Sequence, residues 1–507
     1  MTLLSQAPPS LSRRVEIFDD HDEALDSWRP LKPGKCILLH FDAHLDFEWI
    51  STLSAKDLLQ DSSWSGVAQR LARTGKGWTA GNLLNRRIHL GNYLHEALAA
   101  KLFQSWRWIV PDPIWAARAG KEMIRRDLFD LYRFRSGPME YPRFEKECFR
   151  TAIFGIPLFV SSWENLPEGL QEAVLSVDLD YLTTSFLKRI PPAEDFRRAL
   201  PWIWPEEFCE RLRRKGIEWS CAGIARSVRG GFTPIRYKFF GEILKRLLEE
   251  TELPDGYFDL KKSFFERHRS KAQDGLISAA FSAAEELKPA FHYLKAQIHY
   301  ERKETDAARS EYRRCVALDP EFAARDACHG TFYEQCGKWD EALKEYQMMR
   351  ELMPDVPEFQ EKEARCLLAG GRLQEAEEVF SRIDSKSSGP ESLIDRAELA
   401  FRRRRFQEAQ EGYQKAATAE PSNPHALLGL ARSQIKTRDY PAARENLRRA
   451  LGSGGHFSST YRLLAHVYRK LGYFRKAFEF YLESWRLKLM MIQREGLWKA
   501  AGLRGRL

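Results

Sequence analysis

The chain has 507 residues, 43% hydrophobic and 30% charged, a composition that excludes a disordered protein and suits about two to four globular domains. Its 80 basic and 71 acidic residues leave a formal net charge of +9, but the two signs are interleaved, which reads as solvated helix faces and not as a nucleic-acid surface. No apolar run reaches the roughly 18 residues of a spanning helix, the N-terminal segment lacks a signal-peptide pattern, and the eight cysteines form no CxxC pair, so the expectation is a cytoplasmic protein with reduced thiols and no nucleic-acid or membrane partner.

The first half alternates short apolar runs with helical stretches. RVEIF (14–18), CILLHF (36–41), RIHL (87–90), WRWIV (106–110) and AVLSV (173–177) are rich in β-branched or aromatic residues, and HEALAAKLFQSW (95–106) reads as a helix. Strands alternating with helices predict a doubly wound, mostly parallel α/β sheet. The turn LPDG (253–256) marks its expected end near residue 260, with SAAFSAAEELK (278–288) in a connecting helix over 261–288.

From about residue 289 a strict repeat begins. Ala308, Ala342, Ala376, Ala409, Ala443 and Ala477 are spaced by 34, 34, 33, 34 and 34 residues. Twelve positions before each stands a small residue (Ala296, Gly330, Ala364, Ala397, Ala431, Ala465), and four positions after each a large one (Tyr312, Tyr346, Phe380, Tyr413, Leu447, Tyr481). Small residues let paired helices approach, and the large one fills the gap. The spacing resembles the tetratricopeptide repeat and predicts an all-α solenoid of six helix pairs over 289–484, followed by a capping helix over 485–507. Such a solenoid offers a concave surface for a peptide or protein partner.

The chemistry lies where the strands end. CILLHF runs into Asp42, His44 and Asp46, and AVLSV runs into Asp178 and Asp180, in each case at every second position. RVEIF runs into Asp19, Asp20 and His21, although Asp19, Asp20 and Asp22 equally suit turn and helix-cap positions. Ligands gather outside the carboxyl ends of parallel strands, and crowded carboxylates repel one another unless cations neutralise them. Two histidines and four aspartates without a thiolate suit a borderline-hard ion such as manganese better than zinc.

DAHLD (42–46), SVDLD (176–180) and DDH (19–21) resemble the signature segments of the arginase–deacetylase superfamily of metal hydrolases. With LGNYLHEAL (90–98) and IARSVRGGFTP (224–234) the ordered set resembles the peptide arginases, which convert arginine residues of a ribosomally made precursor peptide to ornithine and urea. The resemblance covers residues 14–240. It implies an arginase-like fold with two manganese ions per chain, one held by His21, Asp42, Asp46 and Asp178, the other by Asp42, His44, Asp178 and Asp180. Asp42 and Asp178 would bridge, and Asp46 would orient the attacking water.

Two departures stand beside it. Free-arginine ureohydrolases extend the second segment to SxDxDxxDP, whereas here Thr183 holds the place of the last aspartate, which argues for a peptide substrate. Their proton-shuttling histidine follows Gly-Asn-x, whereas His95 stands one place later and His89 lies before it; either equally suits a helix surface or core. His95 is taken as the catalytic proton carrier and Asn92 as the substrate contact. The expected partner is an arginine-containing precursor peptide, with other proteins of its pathway on the repeats. The alternatives are a deacetylase or amidohydrolase with the same metals, which Phe232 in place of a tyrosine disfavours, and a repeat scaffold with a degenerate metal domain.

Overall fold

A computed structural model describes residues 13–19, 23–28, 30–43, 93–134, 139–183, 200–228, 233–268, 283–323, 329–335, 337–383, 389–421, 423–453 and 458–500. They form two compact units, the first reaching residue 332 and the second beginning at 333.

The first unit is built on eight strands: β1 (Arg14–Phe18), β2 (Cys36–Phe41), β3 (Phe103–Val110), β4 (Arg143–Glu145), β5 (Cys148–Ile153), β6 (Ile156–Ser162), β7 (Ala173–Asp178) and β8 (Trp219–Ala225). Their order is β1-β8-β7-β2-β3-β6-β5-β4. The six from β1 to β6 in that order are parallel, and two antiparallel hairpins add β5 and β4 at the edge. β7 is buried along its whole length, as a central strand covered on both faces must be, and before its last residue its apolar run is broken only by the small Ser176. β4 is exposed throughout and carries Arg143 and Glu145, the charged kind of edge that resists further pairing.

The helices of this unit are α1 (Ala24–Ser27), α2 (Tyr93–Ala99), α3 (Asp112–Ala116), α4 (Arg118–Phe134), α5 (Leu179–Thr183), α6 (Pro205–Arg214), α7 (Phe240–Leu248) and α8 (Tyr257–His268). The helix expected over 95–106 ends at Ala99, and Phe103–Trp106 belong to β3, which pairs with β2 and continues into the buried run Trp108–Val110. RIHL lies outside the described residues.

The boundary expected near residue 260 is a packing joint. Gly256 has φ 85°, and a Cβ there would lie 2.9 Å from that of Ala283, while the Asp255 carbonyl accepts the Ala284 amide at 2.9 Å. One core runs from Leu39, Phe41 and Val177 of the sheet through Phe240, Tyr257 and Phe264 to Leu287, Phe291 and Leu294. The first helix pair, α9 (Lys288–Glu301) and α10 (Thr305–Leu318), therefore folds with the sheet. Lys238 adds ion pairs to Asp319 and Glu321 at 2.7 and 2.5 Å.

Within this pair, Glu311 of α10 receives hydrogen bonds from His292 and Lys295 of α9 at 2.7 and 2.9 Å. Burial alone would raise its carboxyl, but the two partners outweigh it and hold its pKa at about 2, against 4.5 for a free glutamate. A depressed carboxylate stabilises the fold fully above its unfolded pKa, and that stability fades as pH falls from 4.5 toward about 2. Urea titrations at pH 5 and pH 3 should therefore show the wild type losing more stability over this interval than Glu311→Gln. Equal losses would rule the linkage out.

The remaining helices continue the repeat as α11 (His329–Gln335), α12 (Trp339–Leu352), α13 (Pro357–Ala369), α14 (Leu373–Arg382), α15 (Pro390–Arg402), α16 (Phe406–Ala419), α17 (Pro424–Lys436), α18 (Tyr440–Gly452), α19 (Ser458–Lys470) and α20 (Phe474–Ala500). Each turn within a pair carries one left-handed residue, at Lys303, Gly337, Gly371, Arg404, Arg438 and Gly472, so the turn geometry repeats with the sequence period. The twelve small residues named above are buried. The large residue that follows is covered in five repeats (Tyr312 1%, Tyr346 0%, Phe380 3%, Tyr413 1%, Leu447 0% exposed), whereas Tyr481 is 47% exposed. Among the described residues, the stretch expected as a separate cap from 485 is continuous with the last repeat helix: α20 runs unbroken from Phe474 to Ala500, because no Gly or Pro interrupts 474–495. It leaves Phe474, Phe478, Tyr481, Leu482 and Trp485 exposed.

Candidate metal centre

The chain leaves β2 toward β3 on one side and β7 toward β8 on the other, although β2 and β7 are parallel neighbours. The crevice between their carboxyl ends is thus the switch point of the sheet, where an open α/β fold holds its ligand. Asp42 follows the last residue of β2, Asp178 is the last residue of β7, and Asp180 lies in the first turn of α5. One oxygen from each lies within 4.8 Å of the others, and the residues are only 0%, 4% and 2% exposed.

The chemistry of this donor set fits a divalent cation. At an effective dielectric near 20, two carboxylate charges at such separations repel by about 3 kcal/mol. Three of them in a buried crevice are costly together and become favourable around a hard cation that takes oxygen donors. Of the six expected ligands, Asp42, Asp178 and Asp180 are brought together. His21, His44 and Asp46 lie outside the described residues, as do Asn92, His89 and Phe232. His95 falls in α2, and its side chain also lies outside them.

A hydrogen-bonded frame surrounds the three carboxylates. Asp178 Oδ1 accepts the Asp180 amide at 2.9 Å, and Asp178 Oδ2 accepts the Ser227 hydroxyl at 2.6 Å. Asp180 Oδ1 accepts the Ala43 amide at 3.3 Å, tying α5 to the end of β2. The backbone carbonyl of Asp42 accepts Trp108 Nε1 of β3 at 3.0 Å. One layer deeper, His40 has Nε2 3.3 Å from Asp42 Oδ2 and Nδ1 3.3 Å from Ser176 Oγ, and is fully buried. Thr183 turns its hydroxyl to the carbonyls of Leu179 and Asp180 at 3.5 and 3.4 Å, so it adds no charge to the cluster. At the ends of β1 and β8, Arg226 joins Asp19 at 3.2 Å and Glu242 at 2.9 Å, pairing both acids with a resident guanidinium.

Sequence reasoning missed His40, Ser176 as its partner, and Ser227. The first two carried a signal: His40 and Ser176 lie two residues before Asp42 and Asp178, so the period that aligns the carboxylates also aligns the polar pair beneath them. Ser227 lies within the segment IARSVRGGFTP, but its role there is not visible, because it depends on β8 lying beside β7.

Tetratricopeptide-repeat family profiles match residues 289–322, 333–390 and 400–474, and these segments are tetratricopeptide repeats. No curated protein matches the chain. Among solved structures, MamA (41-end) from Desulfovibrio magneticus RS-1 is 14% identical, over 32% of this chain and 92% of that one, with a TM-score of 0.29. YrrB, a TPR protein with an unusual peptide-binding site, is 10% identical over 34% and 91%, with a TM-score of 0.28. PilW, a type IV pilus biogenesis factor, is 15% identical over 38% and 90%, with a TM-score of 0.29. Among the described residues no helix is long and apolar enough to cross a membrane, and the six cysteines there form no disulfide.

Proposed function

We propose that the first unit is a manganese-dependent hydrolase converting arginine residues of a ribosomally made precursor peptide to ornithine and urea, and that the repeats hold this peptide or a partner protein. The observation that carries the reading is the meeting of three buried carboxylates at the switch point between β2 and β7. It is supported by the DAHLD and SVDLD segments that supply them, which resemble, in order and spacing, the signature segments of the arginase–deacetylase superfamily.

Asp42 and Asp178 would hold both ions, with His21 and Asp46 completing one set and His44 and Asp180 the other. Bound there, manganese would supply Lewis acidity and a water acidic enough to react near neutral pH. The chain's own part is rigidity and exclusion of bulk water: amides of Ala43 and Asp180 and the hydroxyl of Ser227 fix the carboxylate planes before any ion arrives. Asp46 would direct the water at the guanidinium carbon, and His95 would carry a proton to the leaving nitrogen. The bond from that carbon to the side-chain nitrogen breaks, the water oxygen leaves in urea, and the nitrogen remains as the ornithine amine.

The test is co-expression with an arginine-containing precursor peptide, read by mass spectrometry as losses of about 42 Da per modified arginine. Acetate release from an acetyl-lysine peptide, with arginine peptides untouched, would replace this reading by the deacetylase one. Free arginine is expected to be poor, with kcat/KM lower than that of the peptide by about 100-fold or more, because remote contacts of the peptide are used at the reacting centre. The back-bonded Thr183 offers no carboxylate for a free α-amino group. Comparable kcat/KM values would overturn the peptide assignment.

A further inference from the structure

Ser227, the second residue after β8, has φ 49°, in the left-handed region that favours glycine. Its backbone is held on both sides, the amide donating to the Asp19 carbonyl at 3.0 Å and the carbonyl accepting the Thr233 amide at 3.1 Å. The residue is 9% exposed, and its hydroxyl donates to Asp178 Oδ2 at 2.6 Å, a short charge-assisted bond. Gly would adopt this conformation with less strain, and what the serine adds there is the hydroxyl bond to Asp178.

With Oδ1 taken by the Asp180 amide and Oδ2 by Ser227, the Asp178 carboxylate is fixed at both oxygens, and rotating it would break one bond or the other. Its remaining lone pairs are thereby aimed in advance at the space shared with Asp42 and Asp180. We propose that Ser227 is a positioning residue for the cation site, holding the Asp178 carboxylate in the orientation that a divalent ion requires. The proposal rests on the metal-centre reading above and extends it to the loop after β8.

Ser227→Gly separates this role from a structural one. Removing Cβ frees the left-handed backbone, so the metal-free protein should melt at the same or a higher temperature than the wild type. Loss of the hydroxyl should nevertheless weaken Mn²⁺ binding about 10- to 100-fold, measured on the full chain by equilibrium dialysis and by the electron paramagnetic resonance of free Mn²⁺. Ser227→Ala, which keeps the strain, should melt lower but lose a similar factor in affinity, so affinity would follow the hydroxyl and not the melting temperature. Wild-type manganese affinity in Ser227→Gly, or affinity that simply tracks melting temperature across the two variants, overturns the role of Ser227 and leaves the metal centre standing. A wild-type chain that binds no Mn²⁺ removes both.

Discussion

Asp178→Asn is expected to abolish Mn²⁺ binding and hydrolysis while making the metal-free protein more stable. The two effects have opposite signs for one reason. Asp178 shares a buried crevice with Asp42 and Asp180, one oxygen from each lying within 4.8 Å of the others. In the absence of a cation the three charges oppose folding, so neutralising one relieves repulsion of about 3 kcal/mol per pair at an effective dielectric near 20. In its presence the same carboxylate would be a bridging ligand under the proposed function, and its loss should cost more than the 10- to 100-fold typical of a supporting group. The amide keeps the shape: its oxygen can accept the Asp180 amide, and its NH2 can donate to the Ser227 hydroxyl oxygen in place of the bond that Asp178 Oδ2 accepts. Thermal melts with and without Mn²⁺ read both signs together: the wild type should gain melting temperature on adding the ion, by linkage, and the variant should not. A variant that melts lower without metal, or gains as much from it as the wild type, would show that these carboxylates do not form a cation site.

How far this arrangement is legible from the chain depends on the kind of signal. β2 and β7 coincide with the runs CILLHF and AVLSVD because strands buried on both faces are mostly apolar and the aspartates that end them are conspicuous, whereas the edge strand β1, RVEIF, is marked by Val15 and Ile17 alternating with charged residues. The antiparallel hairpins from β4 to β6 are not legible. Their two-residue turns are Lys146-Glu147 (φ 48° and 56°) and Phe154-Gly155 (φ 52° and 79°). Left-handed turns of this kind usually announce themselves by Asn or Gly, and three of these four residues are neither. The same contrast holds at the site. Asp42, Asp178 and Asp180 could be named from a period of two along single strands, whereas Ser227 meets Asp178 only through the pairing of β7 with β8, 49 residues apart in sequence. His40 stands between: its spacing from Asp42 was visible, but a histidine at the end of an apolar run gives no sign that Ser176 on the neighbouring strand will receive it.

Two truncations are expected to differ sharply although both begin after the last proposed metal ligand. Deleting residues 285–507 should leave an unfolded or aggregated chain, whereas deleting 333–507 should leave a soluble unit that still binds Mn²⁺. The first cut removes Leu287, Ala290, Phe291 and Leu294, all 0–3% exposed, and Ile298, from the same core that contains Phe240, Tyr257 and Phe264. At roughly 1.5–3 kcal/mol for each large apolar side chain returned to water, the loss approaches the whole stability of a typical domain. It also strips Glu301 from Arg267, which is only 3% exposed, leaving a buried cation unpaired at that bond. The second cut falls at the boundary between the compact units and keeps this core whole. Far-ultraviolet circular dichroism and a Mn²⁺-dependent rise in melting temperature distinguish the two products. If the shorter chain folds and binds metal as well as the longer one, the shared core contributes no stability and the first repeat is an independent element. If the longer product folds as expected, it isolates the role of the later repeats: a short arginine peptide should be processed as by the full chain, while affinity for the complete precursor should fall. Undiminished precursor affinity would assign residues 333–507 to some other partner.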